Sequence, residues 1–227
     1  MPVNTASALS DEIDTGTAPV SLKRILVALD QSDFANHAVH ECVRLAATSG
    51  GTITGIHAYA AKLHDRRFKQ MEGGLPERYQ REKEMEEQRE VHEDLIGMGL
   101  GLISESYHDS AAETCAASEV KFERLSPEGK NYACIVDAAK SGRFDMLALG
   151  AHGLGAVAGS TIGSVCERVV RRSPIDCLVI KDRRRAIGDG PIVVGMDGSA
   201  LSFGAMLTAF DIARRLDAPV HVVAAYD

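Results

Sequence analysis

The sequence predicts an α/β fold built on a parallel sheet with helices on both faces. Short unbroken apolar runs recur at residues 24–29 (RILVAL), 146–150 (MLALG) and 177–181 (CLVIK). Such runs suit strands that are covered on both sides. Segments with apolar residues at helical spacing lie between them, and strand alternates with helix along the chain.

The first run ends at Asp30, and Ser32 and Asp33 then offer N-cap chemistry. Ala38, Cys42, Leu45, Ala46 and Ser49 follow as a helical stripe that Gly50 and Gly51 close. Residues 52–59 (TITGIHAY) are β-branched and form the next strand. Strand, helix and strand make a βαβ unit with an expected right-handed crossover.

Residues 60–110 differ in character. Gly73, Gly74 and Pro76 break the chain, and Glu82–Asp94 holds seven acidic and two basic residues. Glu, Lys, Gln, Met and Arg dominate that stretch, which favours a helix. Met85, Val91 and Leu95 make no wide apolar stripe there. A solvated helix face is expected, with a partner-binding arm as the alternative.

The alternation then returns. A short strand is expected around Val120 and Phe122, then a helix with Tyr132, Ile135, Val136 and Ala139 on one stripe, closed by Gly142. The strand at 146–150 leads into a glycine-rich segment. A helix follows with Val165, Cys166, Val169 and Val170 on one side, which Ser173 and Pro174 stop. Residues 177–181 are the fifth strand.

Residues 183–190 are charged and glycine-containing, and read as a linker. Beyond them the chain repeats itself. ILVALD at 25–30 and IVVGMD at 192–197 stand 167 residues apart, and at that offset Ser32 falls on Ser199, Ala38 on Ala205 and Tyr59 on Tyr226 without a gap. Phe203, Met206, Leu207, Phe210 and Ala213 give a second helical stripe. A second βαβ unit thus occupies 191–227. Fewer than about 40 residues bury too little surface to fold alone. Such a piece is expected to lean on the first domain, to pair with another chain or to belong to a longer protein, and an end at Asp227, straight after a strand, favours the last.

Composition narrows the function. The chain has 227 residues, 25 Lys plus Arg against 32 Asp plus Glu, and a net charge of −7. That balance argues against bulk nucleic-acid binding, which needs cations to displace phosphate counterions. It leaves room for a local phosphate site made of backbone N–H groups. No apolar run reaches the length of about 18 residues that a membrane span needs. Residues 1–21 are rich in Ser, Thr and Ala, carry Asp11, Glu12 and Asp14, and lack the basic start and apolar centre of a secretory signal. They read as a disordered tail. The five cysteines are scattered without a CxxC pair, as expected of small buried hydrophobes in a reducing cytoplasm.

Residues 150–164 (GAHGLGAVAGSTIGS) carry the chemistry. Gly150, Gly153 and Gly163, followed by Ser164, lead from a buried strand into a helix. Ligands in open α/β sheets bind beyond the carboxyl ends of the strands. Glycines there admit phosphate close to backbone amides, and the start of the next helix favours an anion. The competing reading is a plain strand-to-helix turn. A Walker A loop is excluded, since the Gly129–Lys130 pair is followed by Asn131 and lacks the earlier glycine. The GxGxxG dinucleotide spacing is also missing after the first strand.

The pattern G-x2-G-x9-G-[ST], met here by Gly150, Gly153, Gly163 and Ser164, resembles the ATP-binding signature of the universal stress protein family. The first strand ending in Asp30, with Ser32 next but one, is similar to that family too. The likeness covers 22–182 as one full domain and 191–227 as the start of a second, incomplete one. It implies an adenine nucleotide alpha hydrolase-like fold, five parallel strands in the order 3-2-1-4-5, in dimeric or tandem proteins. It further implies that Asp30 contacts ribose or adenine, that Ala58 contacts adenine, and that Leu149 and Gly150 lie beside the ribose. Gly153, Gly163, Ser164 and Val165 would cradle the phosphates. The ligand would be ATP, or else AMP or ADP, with Mg2+ or Mn2+ accompanying the triphosphate. Asp30 equally suits a role in capping the loop into the first helix. Leu154 departs from the family, where a basic or polar residue is frequent.

Other titratable groups are weaker signals. His152 inside the loop reads as a packing or surface histidine, with phosphate contact as the alternative. His57 reads as packed. His37 and His40 lack a third ligand, so no metal site is expected. Arg168, Arg171 and Arg172 suit the end of their helix, facing solvent or a partner. With no general base or transition-state cation near the motif, hydrolysis is expected to be slow at most. The expected function is that of a cytoplasmic, nucleotide-dependent regulatory module. A nucleotide-free dimerisation module of the same fold, pairing through 177–181, is the alternative. An enzyme acting on nucleotides is the third.

Overall fold

The computed structural model describes residues 18–72, 74, 76, 82–155 and 161–225. Most of the expected tail lies outside the described residues. So does the middle of the glycine loop, and so does most of the break expected after residue 72.

Leu22–Arg183 forms one compact unit. Its elements are β1 (Arg24–Ala28), α1 (Asp33–Ser49), β2 (Thr52–Ile56), α2 (Ala61–Glu72), α3 (Glu82–Ala116), β3 (Lys121–Leu125), α4 (Asn131–Lys140), β4 (Met146–Gly150), α5 (Ser164–Val170) and β5 (Asp176–Ile180). The strands form one sheet in the order β3-β2-β1-β4-β5. All its pairs are parallel, with Ile25 opposite both Ile53 and Met146 and with Gly150 opposite Ile180. This is the expected doubly wound sheet.

Alternating side chains serve opposite faces of the sheet. Leu26, Ile56, Leu147 and Leu149 pack with Ile135, Val136 and Ala139 of α4 and Cys166 and Val169 of α5. Ile25, Val27 and Ile53 are buried as well, as is the inner stripe of α1 from Ala35 through Ala38, Cys42, Leu45 and Ala46. The chain runs outward from β1 to β2 and β3, then returns to lay β4 on the other side of β1. The loops after β1 and β4 therefore part company and leave a crevice at the carboxyl edge.

The region 60–110 holds more helix than the sequence suggests. α2 is a helix of 12 residues in a strongly charged segment. The acidic stretch is the first part of α3, which runs on unbroken to Ala116 for 35 residues. Gly97, Gly99 and Gly101 weaken the local signal, since each costs about 1 kcal/mol against Ala in a helix. Packing carries the helix through, with Ser104, His108, Ala111 and Cys115 buried on one stripe.

The second unit contains β6 (Ile192–Met196), α6 (Ala200–Leu216) and β7 (Val220–Ala224). Its two strands pair in parallel, with Val194 opposite Val222. Val194, Ala209 and Ala213 are its buried apolar residues among those described. Val20 joins this unit through its N–H, which donates to Thr208 Oγ1 at 3.0 Å. Within the expected linker, the Ala186 N–H donates to the Asp189 carboxylate at 2.8 Å.

Local geometry recurs at the 167-residue offset. Ser32 Oγ accepts the Ala35 N–H and Ser199 Oγ accepts the Ser202 N–H, both at 3.2 Å. Asp30 and Asp197 accept the N–H groups of Ser32 and Ser199 at 3.0 and 2.9 Å. The residue between aspartate and serine has positive φ in each, 58° at Gln31 and 81° at Gly198. Both helices end on a left-handed residue, Gly50 and Asp217, whose N–H groups bond to Ala46 and Ala213.

Candidate functional site

The crevice after β1 and β4 is a cleft of about 610 Å3. It draws its walls from segments far apart in sequence. The end of β1 supplies Ala28 through Asp30 and Ser32, and the end of β2 supplies Ile56, His57 and Ala58. Leu149 through Gly155 form another wall, and Ile162 through Glu167 bring in the start of α5. All eight residues expected at the site line this cleft: Asp30, Ala58, Leu149, Gly150, Gly153, Gly163, Ser164 and Val165.

Asp30 divides its two oxygens between tasks. Oδ1 accepts the Ser32 N–H at 3.0 Å and holds the loop into α1. Oδ2 lies against Gly153, where an added β-carbon would overlap it. The capping reading of Asp30 is therefore met by one oxygen, and the other faces the glycine loop. Ser32 ties the same two loops together. Its hydroxyl accepts from Ala35 N–H and donates to the His152 carbonyl at 3.3 Å.

The three signature glycines share a physical reason, and it is not left-handed backbone, since none of them has positive φ. Each is pressed against other chain. A β-carbon on Gly150 would sit 2.7 Å from Phe34 Cβ and 2.9 Å from the Ala35 nitrogen. One on Gly163 would sit 3.1 Å from the Ala151 carbonyl oxygen, which accepts the Gly163 N–H at 2.7 Å. The glycines thus draw the loop, the start of α1 and the start of α5 together. As the N-cap of α5, Gly163 also has no side chain to bond the first N–H groups of that helix.

Two histidines stand in the cleft wall, and sequence reasoning placed neither among the binding residues. Nδ1 of His57 and Nδ1 of His152 are both buried without a hydrogen-bond partner among the described residues. His57 meets Tyr107 edge-on at 4.8 Å, and His152 meets Phe34 at 5.5 Å between ring centroids. Burial holds the His57 imidazole below the usual histidine range, the nearby His108 adds to this, and Asp30 opposes it. Leu154 lines the cleft with most of its side chain exposed. Among the described lining residues there is no lysine or arginine. Arg183 instead pairs with Asp33 and lies over the Phe34 ring, outside the lining.

The remaining candidates are dispersed. Arg168 and Arg172 lie over the Tyr132 ring at 5.2 and 6.0 Å, and Arg171 pairs with Glu167. All five cysteines are free, and burial pushes the Cys166 thiol in the cleft wall up to about 11. Among the described residues no cluster of three or more His, Cys, Asp or Glu is placed to hold a metal. No helix there is long and apolar enough to cross a membrane.

The strand order and the glycine-lined cleft at the switch point define an α/β domain of the adenine nucleotide alpha hydrolase-like fold. The chain matches the Universal stress protein family over residues 21–181 and belongs to that family. It is similar to Universal stress protein Rv1996 of Mycobacterium tuberculosis, with 31% identity over 140 residues, which is 60% of this chain and 44% of that protein. The chain thus spans less than half the length of that relative. Among solved structures, it resembles a universal stress protein from Archaeoglobus fulgidus with a TM-score of 0.63 at 15% identity, covering 89% of this chain and 67% of that one. It also resembles hypothetical protein MJ0577 with a TM-score of 0.57 at 18% identity, covering 73% of this chain and all of that one.

Proposed function

We propose that this chain binds an adenine nucleotide, ATP first and AMP or ADP as alternatives, and works as a nucleotide-dependent regulatory module of the stress response in the cytoplasm. The observation that carries the reading is the cleft of about 610 Å3 that gathers all eight expected site residues at the sheet's carboxyl edge. In this reading Oδ2 of Asp30 receives a ribose hydroxyl and Ala58 borders the adenine. Leu149 and Gly150 flank the ribose. The amides around Gly153, Gly163, Ser164 and Val165 hold the phosphates.

The residues present fit such a ligand. The loop is drawn so close that β-carbons are excluded at Gly150 and Gly153 and crowded at Gly163. Two imidazole nitrogens in the wall lack protein partners among the described residues, and buried polar atoms of that kind are normally satisfied by water or ligand. With no lysine or arginine in the described lining, phosphate is held by backbone and dipoles. The same lack leaves a transferring phosphoryl group without a cationic side chain in the described lining, in keeping with hydrolysis that is slow at most. Mg2+ or Mn2+ would arrive on the triphosphate rather than on a protein cluster.

We read Leu22–Asp182 as one full family domain, 183–190 as a linker and 191–227 as the start of a second domain. The functional unit is a homodimer or a tandem association. Bound nucleotide acts by favouring one conformational or association state over another.

The test is mass spectrometry of ligand released from denatured purified protein, paired with calorimetric titration of ATP. Copurified ATP or AMP, or a measurable affinity that Gly163→Val lowers by more than about tenfold, is the expected result. A ligand-free protein that ignores added ATP, ADP and AMP would leave the fold as a nucleotide-free association module.

A further inference from the structure

We propose that α3 carries a self-association seam, and that its partner is the α3 of a second copy lying antiparallel to it. Val91, Leu95, Met98 and Leu102 are 58%, 61%, 59% and 68% exposed. Their spacing of four, three and four residues is that of alternating a and d positions in a coiled coil.

The seam faces away from the helix's own core. At 3.6 residues per turn, these four side chains cluster within about 60° of one another. The buried stripe of Ser104, His108, Ala111 and Cys115 has the same spacing. Its centre lies about 140° further round the helix. The contacts that hold α3 to the sheet therefore leave the seam bare. An apolar row of this kind marks an interaction surface rather than a solvated face.

Charge selects the occupant and its direction. Residues 82–94 hold seven acidic and two basic residues, whereas 95–104 (LIGMGLGLIS) carry no charged side chain. A parallel pair would lay one acidic half on the other. An antiparallel pair centred between Leu95 and Met98 lays residues 89–94 against the uncharged 99–104 of its mate and the more acidic 82–88 against 105–111, where Glu105 and Asp109 are the acidic residues. The seam is self-complementary about a two-fold axis between Leu95 and Met98, matching Val91 to the mate's Leu102 and Leu95 to its Met98. Glycine is costly inside a helix, yet a β-carbon at Gly97, Gly99 or Gly101 would meet nothing within 4 Å among the described residues. Packing among the described residues does not account for Gly99 and Gly101, which flank the seam in its uncharged half. Close approach of a second helix does.

This surface lies on α3, apart from the fifth strand and from the cleft, and the inference does not depend on nucleotide. A seam about 17 Å long gives a small interface, with an expected dissociation constant of about 1–100 µM. The test is sedimentation equilibrium of the full chain up to about 200 µM, beside a Leu95→Glu/Leu102→Glu variant checked for fold by circular dichroism. Oxidative cross-linking of Val91→Cys and Leu102→Cys proteins, alone and mixed, reads the direction, with the wild-type chain as background. The expected results are a wild-type dimer, weakened more than about 30-fold by the double substitution, and a disulfide that forms in the mixture and in neither protein alone. A wild-type chain that stays monomeric, a dimer indifferent to the double substitution, or a Val91→Cys protein that bridges to itself would overturn the proposal.

Discussion

Oδ2 of Asp30 occupies the space that a β-carbon on Gly153 would need. A residue of the loop after β1 and a glycine of the loop after β4, 123 positions apart in sequence, are thus fitted to each other. Gly153→Ala should destabilise the domain by about 1–3 kcal/mol through overpacking. Asp30→Ala also gives up the bond from the Ser32 N–H to Oδ1, yet it should cost less in the Gly153→Ala background than in the parent, because it removes the carboxylate in the way. Urea unfolding of the two single variants and the double variant measures the coupling. Additive losses would mean that the two side chains do not compete for that space.

Gly150 should be less forgiving than Gly153. Its missing β-carbon would face Phe34 and the Ala35 backbone nitrogen, not the end of a side chain. Gly150→Ala must push β4 away from α1. A drop in thermal midpoint of several degrees is expected, for a cost of about 2 kcal/mol. No second-site truncation should relieve it as Asp30→Ala relieves Gly153→Ala.

Ser32 and Ser199 cap their helices alike, yet they should differ in cost. Ser199→Ala removes a cap, worth about 1 kcal/mol. Ser32→Ala removes a cap and also the bond to the His152 carbonyl. Its cost should exceed that of Ser199→Ala by about 0.5–1.5 kcal/mol. Hydrogen exchange at the first amides of α1 and α6 reads each cap separately.

His57 sets a pH dependence. Burial lowers its folded pKa below the unfolded value of about 6.5, so the unfolded chain takes up the proton first as pH falls. The stability that neutral His57 contributes is present above about pH 6.5 and is lost as pH falls through the window down to the folded pKa. Unfolding free energies at pH 7.5 and 5.5 should differ less in His57→Gln than in the parent chain. An NMR titration should find the His57 resonance moving below the usual histidine range.

The three buried cysteines, Cys42, Cys115 and Cys166, should stay silent to thiol reagents until the chain unfolds. Burial raises all five thiols, with Cys115 and Cys166 near 11. The thiolate is the reactive form, so it is scarce near neutral pH. Ellman's reagent at pH 7.5 should react with Cys42, Cys115 and Cys166 at least about tenfold faster in urea than in buffer.

Much of this architecture is legible in residue order because the signals are local. Apolar runs ending in Asp30 and Gly150 mark strands buried on both faces, and the serine caps and glycine stops mark α1. The 167-residue repeat shows in the bare letters and again in matched caps and turns. The helical region 60–110 is harder to read. α2 lies in a strongly charged segment, and three glycines weaken the helical signal of α3, whose register depends on His108 and Cys115 packing into the core.

The glycine-serine spacing names Gly150, Gly153, Gly163 and Ser164 of the cleft wall, because a loop that passes this close to other groups has no room for a β-carbon, whereas Asp30, Ala58, Leu149 and Val165 follow only from the family resemblance. Chain order does not show what each glycine presses against, that Asp30 splits its oxygens between two loops, or that His57 and His152 enter the wall. These depend on β4 returning to lie beside β1. Folding brings together groups more than a hundred residues apart, and no local pattern records which of them will touch.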